Sequence, residues 1–207
     1  MQLRYETGQT GEEYVSAQAW RDARLEHCPN HPRGGCSFAR HGTYTRKRPR
    51  GTHIARWYCP ESHTTFSLLP DCLAARFPGE LDTLEAVVAH AEQAPSLAAA
   101  ANALRRDAVE LPGAMRWVRR RVCLVHHVLS IVIGLLPALL IRCVAEVGAA
   151  RARLGTDIAL RTLRVLTAEQ LHALPAPLGF CPHRLGATNR RHAPQHNTGP
   201  DPPPVPA

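Results

Sequence analysis

Two Cys-Pro dipeptides, each followed closely by a histidine, bracket one short stretch of the chain and constrain its fold more than any other feature. The first is Cys28-Pro29-Asn30-His31, with Cys36 five residues beyond it, and the second is Cys59-Pro60-Glu61-Ser62-His63. Between them, Gly42 to Arg48 and Thr52 to Cys59 are rich in β-branched and aromatic residues. Pro49-Arg50-Gly51 is a turn-like link, so the two segments are expected to pair as a hairpin. Thr64 to Leu69 is a candidate third strand. A β-ribbon brings two such turns together at one end, and tetrahedral zinc takes four sulfur or nitrogen ligands from turns of this kind. Five residues compete for four places. The preferred set is Cys28, Cys36, Cys59 and His63, with His31 able to replace Cys36. No open coordination position or general base is evident, so the expected role of Zn2+ is structural.

The chain has 207 residues, seven of them cysteine. Its N-terminus, Met1 to Glu12, carries acidic residues and lacks the apolar core of a secretory signal. A reducing, cytoplasmic setting is therefore expected, in which Cys and His at short spacing read as metal ligands and not as disulfides. Cys72, Cys123, Cys143 and Cys181 stand singly and are expected to act as small buried hydrophobes. The longest uncharged run, Val128 to Ile141, contains Pro137 and is too short to span a bilayer comfortably. It reads as a buried helix, and no membrane association is expected.

After Pro70 the apolar period becomes helical. Asp82 and Glu85 have capping-box spacing, and Leu84, Val87, Val88 and Ala91 form the stripe of a first helix. Ser96 is placed to cap a second, with Leu97, Ala100, Ala101 and Leu104 on its buried face. After a connection near 106–110, Pro112 suits the first turn of a third helix. Its buried face is marked by Met115, Val118, Val122, Val125 and Leu129, and Trp117 is expected in the core. Ala138 to Leu154 and Asp157 to Leu174 read as further helices. The end of the chain is polar and proline-rich, a composition that buries too little surface to order itself. The resulting organisation is a partly helical segment (1–27), a zinc β-ribbon (28–70), a helix-turn-helix-like trihelical unit (80–130), an apolar helical region (131–185) and a disordered tail (186–207). The expected fold class is α+β, mostly α: a small N-terminal zinc β-ribbon followed by a helix-turn-helix-like helical bundle.

The formal charge is +8, and Lys47 is the only lysine among 25 basic side chains. Arginine suits bidentate phosphate and guanine contacts, and GC-rich codon usage produces the same bias, so clustering carries the argument. Two clusters stand out. Arg46, Lys47, Arg48 and Arg50 lie on the hairpin and its turn, where they are placed to follow a phosphate backbone. Arg116, Arg119, Arg120 and Arg121 lie on the third helix, the one that enters the major groove in a helix-turn-helix.

Residues 41 to 71, HGTYTRKRPRGTHIARWYCPESHTTFSLLPD, resemble the zinc ribbon at the start of bacterial insertion-sequence transposases and related short proteins, and the run ending in RWVRRR resembles the helix-turn-helix that follows it there. The resemblance spans about residues 28–125 and implies binding to transposon ends or similar duplex DNA. It departs from the family in its ligand pattern and in lacking strands and convergent carboxylates for a two-metal nuclease. Ser-His-Asp, Cys-His, P-loop and dinucleotide signatures are also missing. The expectation is a non-catalytic DNA-binding protein with no small-molecule substrate, acting alone, with itself or with a separate transposase. The alternative is a zinc-ribbon interaction module that oligomerises through its C-terminal helices.

Overall fold

Strand alternation explains most of the architecture. In the computed structural model, which describes residues 1–104 and 112–181, four strands form one mixed sheet: β1 (Gln2–Tyr5), β2 (Ala39–Thr45), β3 (His53–Cys59) and β4 (Thr64–Pro70). Their order is β1-β4-β3-β2. The hairpin partners β2 and β3 are antiparallel, as are β3 and β4, and β1 runs parallel to β4 with Leu3 opposite Leu68. Side chains alternate between the two faces of a strand. Ile54 and Leu69 accordingly enter the main core, whereas Ala55, Trp57, Cys59, Phe66 and Leu68 pack on the other side against Leu3, Ala23 and Leu25. The sheet is thus covered on both faces, by helices on one and by the segment between α1 (Gly11–Ser16) and β2 on the other.

This arrangement corrects the expected fold class. The protein is mixed α+β, but it is not a small N-terminal ribbon followed by a helix-turn-helix-like helical bundle. The ribbon has gained β1, which polar residues near the N-terminus did not announce. Its inner face also shares one core with the helices, where Ile54, Leu69, Cys72 and Leu73 join Leu81, Leu84, Val88, Val125, Leu129, Leu160 and Leu163. A hairpin with apolar residues on both faces must bury both, so it cannot stand apart as a ribbon.

The helices are α2 (Leu81–Gln93), α3 (Leu97–Ala103), α4 (Pro112–Leu135), α5 (Val147–Leu154) and α6 (Ala159–Leu166), followed by a short 3-10 turn at Ala168–Gln170. Ser96 caps α3 by accepting from the Ala99 N–H at 3.1 Å. The Asp82/Glu85 capping box does not form. Glu80 occupies the N-cap position, Asp82 pairs with Arg161, and Glu85 is turned inward and fully buried. Glu85 instead accepts from the Ala159 and Leu160 N–H groups at 3.0 and 2.7 Å, capping α6 from across the core. Glu92 does the same for α5, accepting from Val147 and Gly148 at 2.8 and 3.0 Å. Glu80 accepts from Gly11 at the start of α1. Three carboxylates in and beside α2 therefore meet the positive ends of three other helices, a charge-to-dipole arrangement that fixes their positions.

Of the later helical segments, only 147–154 and 159–166 are α-helical; 138–146 is irregular. Among the described residues no helix is long and apolar enough to cross a membrane. The expected connection at 106–110 and tail at 186–207 lie outside the described residues.

Candidate metal centre and basic face

The 28–36 loop folds back on itself to deliver three ligands instead of two. The His31 N–H donates to the Cys28 carbonyl and the Gly34 N–H to that of His31. Gly34 and Gly35 then adopt φ of +79° and +86°, a left-handed pair that only glycine takes without strain, and the chain reverses to present Cys36. Cys59 arrives from the end of β3. One ligand atom each of Cys28, His31, Cys36 and Cys59 lies within 4.8 Å of all the others. His31 Nδ1 is 3.5 Å from Cys28 Sγ and 3.3 Å from Cys59 Sγ. Cys28 and Cys59 are buried, and His31 and Cys36 half-buried.

His63, in the set preferred from sequence, is not in this group. It closes the β3–β4 turn in the left-handed conformation at φ +47°, and its Nδ1 lies 3.3 Å from the Tyr58 hydroxyl. The likeness of the two Cys-Pro turns is misleading, because a tight strand connection leaves no freedom to bring His63 beside Cys59. His31 and Cys36 both belong, so neither replaces the other.

The surroundings serve the cluster. Glu61 accepts from the Ser37 N–H at 3.0 Å and lies 3.6 Å from Cys59 Sγ; the Ser37 contact holds its carboxyl below the usual range. Asn30 Nδ2 donates to Ser62 Oγ at 3.0 Å, tying the two turns together. Phe38 stacks on Trp57 with ring centroids 5.2 Å apart, and Phe66 packs beneath. Burial, then the neighbouring thiols, push Cys36 up to about 11. At Cys59 burial opposes ionisation, but hydrogen bonds from Ser62 and the other thiols outweigh it and bring the group down to about 7. Three thiols this close cannot all ionise without a cation between them, and a divalent metal supplies one.

The two basic runs, far apart in sequence, meet in space. Arg46 is largely withdrawn from solvent and donates through Nη2 to the carbonyls of Ala74 and Phe77, so it braces the turn after β4 and is not free for a partner. Lys47, Arg48 and Arg50 are exposed on the β2–β3 turn. On α4, Arg116, Arg119 and Arg120 are exposed and Arg121 is half-buried. The Arg120 and Arg121 guanidinium carbons sit 5.6 and 5.5 Å from the Phe77 ring centroid. Burial, then the charges of Arg120 and Arg48, push Arg121 down to about 10. Arg46 holds the carbonyl of the same Phe77, which brings the base of the hairpin turn beside α4. Arg76 and Phe77 escaped notice in the sequence because a lone Arg-Phe-Pro-Gly turn has no periodic or ligand pattern.

Other residues fall outside these sites. Trp117, expected in the core, is 43% exposed. Among the lone cysteines Cys72 is buried, Cys123 exposed, and Cys143 and Cys181 half-buried. No family model, curated protein or solved structure matches the chain.

Proposed function

We propose that this is a zinc-structured, non-catalytic protein that binds duplex DNA through the basic face formed by the β2–β3 turn and the first half of α4. The observation that carries the reading is the junction at Phe77, where the base of the β2–β3 turn holds the Phe77 carbonyl and Arg120 and Arg121 of α4 lie over its ring; Arg48 is exposed on that turn, and Arg116 and Arg119 on α4. Among the described residues none of these five has an ion-pair partner. Arginines put to structural use here hold carboxylates, as Arg4, Arg151 and Arg161 do, or backbone carbonyls, as Arg46 does. A concentration of unpaired guanidinium groups repels itself and favours a polyanion.

The donor set supports zinc in particular. Bond lengths of about 2.3 Å to sulfur and about 2.0–2.1 Å to nitrogen put an N/S pair of a zinc tetrahedron about 3.6 Å apart and an S/S pair about 3.8 Å apart. The His31 separations of 3.5 and 3.3 Å fit that cage. Four protein ligands close the coordination sphere, so the ion's role is structural.

The test is fluorescence anisotropy with duplex DNA across a salt series. Affinity should fall with salt with a slope of about 0.9 per neutralised phosphate and should weaken when a chelator removes the metal. Absence of binding at low salt by metal-loaded protein refutes the proposal. A second reading, self-association, draws on exposed apolar side chains beyond the middle of α4: Leu135, Leu139, Ile141 and Val144 are 39–59% exposed. Light scattering separates the two, since a monomer that binds DNA supports only the first.

A further inference from the structure

Beside the basic face lies a cleft of about 430 Å3, between the 76–78 turn and the start of α4. Its size is that of a small-ligand site, which typically measures about 300–1,000 Å3. Its walls include Arg76, Phe77, Arg116, Trp117, Arg120 and Arg121. Four guanidinium groups and two aromatic rings converge there in a chain that is only 5% aromatic.

The floor of the cleft is built firmly. Arg46 holds the Ala74 and Phe77 carbonyls from below. Arg76 adopts φ +54°, uncommon for a side chain other than glycine and most often seen where a local constraint is imposed. Its Nη2 donates to the Phe180 carbonyl at 3.3 Å. Phe77 is 9% exposed and forms a base beneath Arg120 and Arg121. On the wall, the Arg121 guanidinium lies 3.4 Å from the centroid of the Trp117 ring and donates to the Trp117 carbonyl. Held in this way, Trp117 still leaves 43% of its surface to solvent. An open indole beside guanidinium groups offers a stacking surface to a planar ligand.

Phosphates alone explain the arginines but not the aromatics, and the convex backbone of a duplex does not enter a cleft. A nucleobase does both things, since it offers a π-face to an aromatic ring and carries phosphates on either side. We infer that this cleft takes an unpaired nucleotide at a single-stranded DNA end, its base stacked on Trp117 and its flanking phosphates held by Arg76, Arg116 and Arg120. This inference rests on the DNA-binding reading above and narrows it from duplex in general to duplex with an unpaired end.

The experiment compares the full-length, metal-loaded protein on a blunt duplex and on the same duplex carrying a short single-stranded thymidine overhang, by anisotropy. The overhang should bind about tenfold tighter, the scale of one base stacked on an aromatic side chain. Trp117→Ala should bring the ratio of the two affinities close to one, and Trp117→Phe should restore most of it. Because Trp117 is largely exposed, both variants are expected to fold, which circular dichroism verifies. Equal affinity for the two DNAs in the parent protein overturns the cleft assignment and leaves the duplex reading standing. A preference for the overhang that persists in Trp117→Ala also overturns it, because the base is then bound elsewhere. Failure to bind either DNA removes both readings.

Discussion

Glu85→Gln offers the most direct test of how the helices are held. Glu85 is fully buried, and its carboxylate accepts three hydrogen bonds: from Arg151 Nε at 2.6 Å and from the Ala159 and Leu160 amides at 3.0 and 2.7 Å. Glutamine keeps the shape but removes the charge, and it turns an NH2 toward at least one of these three donors whichever way the amide is flipped. The change breaks a buried ion pair and leaves a helix N-terminus short of an acceptor. Removing one partner of such a pair costs about 3–5 kcal/mol, a large share of a typical folding stability of about 5–15 kcal/mol. For a domain of this size that is a fall in Tm of about 6–20 °C. The control is Asp82→Asn, since Asp82 is 30% exposed and meets Arg161 at 3.3 Å, a partly buried pair with a single contact whose loss costs about 1.5–3 kcal/mol. The capping box expected from sequence makes Asp82 the helix cap and Glu85 its surface partner, and it reverses the order. Thermal and urea unfolding followed by circular dichroism measure both variants. If Asp82→Asn costs as much as Glu85→Gln, the cross-core cap is wrong.

Four further outcomes follow from the sites. His31→Ala should lose bound metal in elemental analysis while His63→Ala keeps one ion per chain, and the reverse result restores the ligand set expected from sequence. Chelation should speed hydrogen exchange in residues 17–38 before it affects α2 or α4, because the outer face of the sheet packs in clusters separate from the main core; simultaneous exchange everywhere argues against that separation. Arg116→Gln combined with Arg120→Gln should lower the salt slope of DNA binding by about 2. Arg46→Gln should leave the slope unchanged and lower Tm, since Arg46 is spent on the carbonyls of Ala74 and Phe77.

Local signals in the sequence were legible where the chemistry is local. The hairpin, the third strand, the Ser96 cap and Pro112 at the head of α4 follow from turn residues, alternation and capping, and all appear close to their expected positions. What escaped depends on contacts distant in sequence. β1 is four residues, Gln2-Leu3-Arg4-Tyr5, too short an alternation to stand out, and it becomes a strand by pairing with the edge of β4. Glu85 has the spacing of a cap for its own helix and serves another, 74 residues away. The ligand loop misled in a similar way: His31 and Cys36 looked like alternatives, and the reversal at Gly34 and Gly35 brings both to one point with Cys28. Trp117 looked like core because an aromatic at helical spacing is more often buried, yet Val118, and not Trp117, faces α3.

The placement of the metal relative to the basic turn decides how the two are connected. Cys59 closes β3 at one end and His53 opens it at the other, beside the turn that carries Lys47, Arg48 and Arg50. At about 3.3 Å per residue the strand separates them by about 20 Å, beyond the reach of one side chain. The ion therefore cannot share a phosphate with Arg48. A bound ion would act through register, by holding Cys59 opposite Thr64 and, through β3, Tyr44 opposite Ile54. A slip of one residue would turn Ile54 out of the core and swing the hairpin tip away from α4. Metal removal should then weaken DNA binding while leaving the salt slope nearly unchanged, because the number of arginines on the face is the same and only their alignment suffers. A slope that falls along with the affinity would instead mean that the metal-binding turns touch the DNA themselves, and the register argument would fail.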